Sequence, residues 1–301
     1  MIKTTNLTKK FDEYKALDNL SCTIPEGCIY GLIGSNGAGK STFFRTITGI
    51  YKQDSGEIQI DGKNVFNNPL AKSDFVFVPD DLYFLKSSSL NRMAKLYASV
   101  YKNFDKKRFS DLVDAFSLNP NKNIATFSKG MKRQAATILA LSCKTKYLFF
   151  DETFDGLDPI MRNLVKTVVY QDVCDRGATA VISSHALREL EDTCDQLSLL
   201  YKGGILFESD VQNLKTSLFK VQVAFLEDFD EKMFADIEIL SYNKLGRVAN
   251  LIVKGDREQT KAKLQSKNPA LLEILPLSLE EVFVHEMDAL GYTFDTNLEV
   301  N

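Results

Sequence analysis

Gly34-Ser35-Asn36-Gly37-Ala38-Gly39-Lys40-Ser41 has the spacing G-x-x-x-x-G-K-[ST], and a run of this kind can hold a polyphosphate. Its glycines let the backbone curl until successive N–H groups point at phosphate oxygens. A helix running from Thr42 to Thr48 then turns its positive end on the same anion. In that chemistry Lys40 reaches the β- and γ-phosphates, and the Ser41 hydroxyl ligates Mg²⁺. The run stands after the apolar stretch Cys28 to Ile33 and before a helical one, which favours a phosphate loop over a simple connecting turn.

A second constellation is Asp151-Glu152, at the end of the apolar run Tyr147-Leu148-Phe149-Phe150. Ligands of open α/β sheets gather at the carboxyl ends of the strands. Strand alternation predicts that the two side chains leave on opposite faces, so that Asp151 holds Mg²⁺ while Glu152 faces an attacking water as general base. His185, just past the strand Thr179 to Ser183, is brought to the same edge and is expected to hydrogen-bond the γ-phosphate. Ser128 precedes a helical run, where a serine caps the helix and free N–H groups make a further anion site.

The elements that must position these residues follow from hydrophobic period. Cys28–Ile33, Phe75–Val78, Lys146–Phe150 and Ala178–Ser183 are apolar almost throughout, as strands of a parallel sheet covered on both faces are. Gly56 to Val65 alternates around an Asp61-Gly62 turn and predicts a half-exposed antiparallel patch. Leu90 to Tyr101 and Lys107 to Phe116 have helical spacing, giving a helical insert over about 86–145. A hairpin at Lys202-Gly203-Gly204 closes the sheet. The fold class is therefore α/β, with a mainly parallel sheet, an antiparallel β subdomain and a helical insert in a nucleotide domain over 1–215.

After Leu214 the texture changes. Strand Phe219–Phe225, a helix, strands Ile237–Ser241 and Val248–Val253, helix Arg257–Ser266, strand Leu271–Leu275 and helix Ser278–Met287 predict a small α+β domain of split βαβ type over 216–288. Residues 289–301 offer little to bury and are expected to form a loose tail.

Composition limits the function classes. The 301 residues are 44% hydrophobic and 26% charged, enough for a sizeable core, and the formal charge of −3 argues against a nucleic-acid partner. No apolar run approaches the roughly 20 residues of a membrane span. Five cysteines without a Cys-x-x-Cys pair read as reduced cytosolic thiols.

Between the two constellations lies Phe127-Ser128-Lys129-Gly130-Met131-Lys132-Arg133-Gln134, and after them come Asp155-Gly156-Leu157-Asp158-Pro159 and Ser183-Ser184-His185. This ordered set resembles the ATP-binding subunit of ABC transporters, over residues 1 to about 215. The resemblance implies the P-loop NTPase fold, ATP and Mg²⁺ as cofactors, and a signature loop containing Ser128 and Gly130. It also implies a D-loop over Asp155 to Asp158 at the nucleotide, and His185 as the switch histidine. Two subunits would pair head to tail, in a homodimer, so that Ser128 of one closes on the phosphate at Lys40 of the other. An aromatic residue that stacks on adenine is implied near Phe11, with Tyr14 as its rival and core packing of Phe11 as the alternative.

The same resemblance implies a partner membrane permease on a separate chain and a place on the cytoplasmic face of the membrane. The segment Ser-Lys-Gly-Met and the ending Leu277-Ser278-Leu279-Glu280-Glu281-Val282-Phe283 look most like bacterial ATPases of the ABC-2 type, which implies export of a drug, a peptide or a lipid-linked substrate. The rival reading is a soluble or regulatory ABC ATPase, associated with ribosomes or DNA or acting as an immunity protein.

Departures from the pattern are specific. Asp80 stands where the family has a glutamine, so that it becomes a candidate metal ligand that also brings a second negative charge toward Glu152. Lys129, Lys132 and Arg133 put positive charge at a helix N-terminus, either to attract phosphate across an interface or as solvated side chains.

Overall fold

The computed structural model describes residues 1–211, 218–278 and 280–282. The chain divides into two compact units, Met1–Glu208 and Ser209–Asn301. The expected boundary near 215 falls outside the described residues, as do most of the expected last helix and the whole of 289–301.

The first unit holds two sheets. One is antiparallel, formed by β1 (Ile2–Phe11), β2 (Tyr14–Ile24), β4 (Ser55–Ile60) and β5 (Lys63–Asn64) in the order β2-β1-β4-β5. The Asp61-Gly62 turn joins its last two strands, with Ile60 opposite Lys63. The other sheet contains β3 (Ile29–Ile33), β6 (Phe75–Val78), β7 (Tyr147–Asp151), β8 (Thr179–Ser184), β9 (Gln196–Tyr201) and β10 (Gly204–Asp210) in the order β10-β9-β3-β8-β7-β6. From β9 to β6 every pairing is parallel. Residues of β3, β7 and β8 are buried without exception, because helices or the second sheet cover both faces.

Helices supply that cover. The first, α1 (Lys40–Ile47), buries Phe43 and Phe44, and the Phe44 ring packs at 5.9 Å on Phe77 and 6.0 Å on Phe149. These contacts fix where the N-terminus of α1, with Lys40, meets the strand ends. After the short α2 (Pro69–Lys72) come α3 (Leu90–Val100), α4 (Lys106–Ala115) and α5 (Lys129–Ser142). Their first turns are capped by Ser89, Asp105 and Ser128, each accepting from the N–H three residues on. Then follow α6 (Pro159–Arg176) and α7 (Leu187–Glu191). No helix among the described residues is long and apolar enough to cross a membrane.

The second unit is a four-stranded antiparallel sheet of β11 (Leu218–Ala224), β12 (Ile239–Leu245), β13 (Val248–Lys254) and β14 (Leu271–Pro276), ordered β12-β13-β11-β14, with α8 (Arg257–Gln265). Its core contains Phe219, Val221, Val223, Leu251 and Leu264. The helix expected after β11 is only a 3-10 turn, Glu231–Phe234, whose Phe234 fills that core. Ile237 closes this turn by donating to Phe234, so β12 starts at Ile239 rather than Ile237.

Candidate active site

The phosphate loop leaves the end of β3 and enters α1 at Gly39. Gly39 has φ 115° and gives α1 no side-chain cap, so the first N–H groups of the helix are available to an anion. A β-carbon there would stand 2.6 Å from the Ala16 carbonyl oxygen, so this bend requires glycine. Gly34 and Ala38 are buried beneath the loop, whereas Ser35, Asn36 and Gly37 are exposed at its crest. Beside the loop lies a cleft of about 410 Å³, lined by Asn36, Gly37, Gly39, Lys40, Ser41 and Thr42. Its opposite walls carry Phe11, Tyr14, Asp80, Glu152, Asp155 and His185.

Lys40 is almost fully buried. Its ammonium donates to the carbonyls of Gly34 (2.6 Å) and Ser35 (3.2 Å) and pairs with Glu152 Oε1 at 3.1 Å. The other oxygen of Glu152, Oε2, meets His185 Nδ1 at 3.0 Å. That hydrogen bond raises the His185 imidazole above its usual 6.5.

Strand alternation does not set the direction of Glu152, contrary to the sequence expectation. Glu152 lies one residue past β7 and has φ 49°, a left-handed conformation that turns its carboxylate toward Lys40 and His185. Asp151 remains in the strand, fully buried. Its Oδ1 accepts from Ser183 Oγ at 2.6 Å, while Oδ2 has no partner. Burial raises the Asp151 carboxyl, the Ser183 and Ser41 hydroxyls pull it down, and Glu152 and Asp80 push it up further. An unpaired carboxylate oxygen beside Ser41 is a fit for a divalent cation such as Mg²⁺.

Asp80 lines the cleft, but its Oδ1 accepts from Arg133 Nη2 at 2.5 Å. The negative charge expected beside Glu152 is therefore countered by a guanidinium. Neither expectation for Arg133 holds, because it is 1% exposed and neither solvated nor free to meet a partner. Its Nη1 donates to the main-chain oxygen of Glu152 at 2.6 Å.

Phe11 is 42% exposed, which removes core packing as its role, and its ring meets Tyr51 edge-on at 5.4 Å. Tyr14 is more exposed still and its hydroxyl donates to the Gly37 carbonyl at 3.4 Å, so both aromatic residues stand at the cleft.

Ser128, Gly130 and Asp158 are not among the residues lining this cleft. Ser128 caps α5, and Asp158 caps α6, its Oδ1 accepting from the N–H groups of Ile160 and Met161 at 3.0 Å each. Gly130 lies against Gly156: a β-carbon on Gly130 would stand 2.9 Å from the Gly156 carbonyl oxygen. Asp155, which does line the cleft, immediately precedes Gly156.

A family model described as ABC transporter matches residues 17–155. The chain is 28% identical over 284 residues to the ABC transporter ATP-binding protein YtrB of Bacillus subtilis, covering 94% of this chain and 97% of that protein. It is 32% identical to the bacitracin transport ATP-binding protein BcrA of Bacillus licheniformis, over 71% of each. The lantibiotic transport ATP-binding protein SrtF of Streptococcus pyogenes is 31% identical over 75% of this chain and 98% of its own length. Among solved structures, an ATP-binding subunit of an ABC transporter superposes with a TM-score of 0.67 at 24% identity, over 71% of this chain and 92% of that one. The dimeric bacterial ABC transporter cassette MJ0796 gives 0.61 at 22% identity, over 70% and 99%.

Proposed function

The chain belongs to the ATP-binding proteins of ABC transporters, and from that membership we propose that it hydrolyses MgATP in a head-to-tail homodimer to drive export through a separate membrane chain. ATP hydrolysis is the activity of this family's cassette. The observation that carries the finer reading is the convergence of Lys40, Glu152 and His185 under the uncapped N-terminus of α1, each within hydrogen-bonding distance of the next.

Each of these residues has a task. Lys40 and the N–H groups of the loop hold the β- and γ-phosphates, while Phe11 or Tyr14 stacks on adenine. The Glu152 carboxylate takes a proton from the attacking water. His185, bound through Nδ1 to Glu152, orients that carboxylate and keeps Nε2 for the γ-phosphate. Ser41 and Asp151 would hold Mg²⁺, which neutralises charge on the phosphate oxygens when bound. Asp80 lends one oxygen to Arg133, which counters its charge beside Glu152.

Ser128 and Gly130 have no task at this chain's own cleft. Their place at the start of α5 supports their closing on the phosphate of a second subunit, while Asp158 holds α6. The relatives named for bacitracin and lantibiotic transport support an exporter of ABC-2 type that carries a drug, a peptide or a lipid-linked substrate, with this chain peripheral on the cytoplasmic face. The test is to purify the tagged chain from detergent-solubilised membranes of its own cells. We expect an integral membrane protein to co-purify in stoichiometric amount and to stimulate ATP turnover; purification without a membrane partner would refute the transport reading.

A further inference from the structure

Arg133 is a large buried cation that the reading above leaves without a task. It lies on α5, just over one turn beyond Ser128, and its two terminal nitrogens reach two separate segments. Nη2 donates to Asp80 Oδ1 at 2.5 Å, at the end of β6, and Nη1 donates to the Glu152 carbonyl at 2.6 Å, past the end of β7. The two bonds leave from two nitrogens of one planar guanidinium, whereas a lysine would have to serve both acceptors from a single nitrogen on a different stem. Glu152 needs such help, since a left-handed backbone is strained for a residue with a β-carbon. Its peptide groups are held on both sides: Ser183 Oγ accepts from the Glu152 N–H at 3.0 Å, and Arg133 donates to the carbonyl.

We propose that Arg133 is a positioning residue, whose bridge from Asp80 to the Glu152 carbonyl holds Glu152 in the turn that aims its carboxylate at Lys40 and His185. The same bridge ties the helix that begins at Ser128 to the carboxylate at this chain's own cleft. Its effect on turnover rests on Glu152 being the base; its effect on the place of the carboxylate does not.

The test uses His185 as the reporter. The groups facing its ring are Glu152, Asp155 and Lys40, and the chain has only one other histidine to resolve. The full-length protein, without nucleotide or added metal, is titrated by histidine NMR as the parent, Arg133→Lys, Arg133→Gln and Asp80→Ala, with melting curves confirming that each is folded. Arg133→Lys keeps the charge and loses the fork. We expect the His185 midpoint to fall toward 6.5 in Arg133→Lys and Arg133→Gln, and by less in Asp80→Ala. Turnover should fall about tenfold to a hundredfold with the KM for ATP little changed.

An unchanged midpoint in folded Arg133→Lys overturns the proposal and leaves Arg133 as a packing residue, and this single comparison decides even where Arg133→Gln does not fold. Glu152→Gln is assayed alongside. Parental turnover there would refute Glu152 as the base, while the His185 midpoint would still judge the role of Arg133.

Discussion

Lys40 Nζ stands 3.1 Å from Glu152 Oε1, so the cation assigned to phosphate and the carboxylate assigned to water hold one another. Both are buried, and breaking such a pair by removing one partner leaves an uncompensated charge. Lys40→Ala should therefore abolish turnover and weaken ATP binding at least about tenfold, the loss of a single charge-assisted contact. Nucleotide titration with an ATPase assay checks it; an unchanged variant would remove Lys40 from the phosphate site.

Glu152→Gln keeps the shape of the side chain and removes its basicity, so turnover should slow by about a hundredfold or more. ATP should bind at least as tightly, because phosphate no longer competes with a carboxylate for Lys40. Ultracentrifugation with MgATP should find Glu152→Gln as a dimer and find the double variant with Ser128→Arg as a monomer. A dimer that survives Ser128→Arg unchanged would rule out the composite site.

The hydrogen bond to Glu152 raises His185 above 6.5, which makes its contribution to stability depend on pH. A histidine whose folded value is raised stabilises fully below the unfolded value, and that contribution is lost as pH rises through the folded value. The parent should exceed His185→Gln in urea midpoint most clearly below about pH 6.5, with the difference shrinking through the neutral range. A constant difference from pH 5.5 to 9 would mean that the imidazole is not paired with Glu152.

The units ending at Glu208 and beginning at Ser209 have their own cores, one around Tyr30, Phe43 and Phe149 and one around Phe219, Val221 and Leu251. A chain ending at Val211 should fold and bind ATP with the parental affinity, measured by calorimetry. Failure to fold would mean that the second unit completes the first.

The parallel strands of the first unit were legible because β3, β7 and β8 are buried on both faces and read as unbroken apolar runs. The hairpin β1–β2 was not. Asn6 and Asn19 both take a positive φ there and shift the register, so the period of two loses phase in each strand. At the site, the glycine-rich loop and the acid pair announced themselves through local spacing. The Arg133 bridge did not, because it joins positions 80, 133 and 152, which only the packing of α5 on the sheet brings together. A left-handed residue at 152 likewise leaves no mark in a sequence that has glutamate there.

Gly130 and Gly156 meet so closely that the first has room for a hydrogen and nothing larger. In a saturation mutagenesis library, position 130 should reject all nineteen replacements, alanine included, since what a methyl group would strike is main chain rather than the far end of a flexible side chain. Gly37, with φ 82° and no protein atom near its missing β-carbon, is kept as glycine by its own torsion angle and by the close approach its loop must make to phosphate. Two glycines of motifs that look equally strict in the sequence are thus kept for different reasons, one by a neighbouring carbonyl and the other by its own backbone.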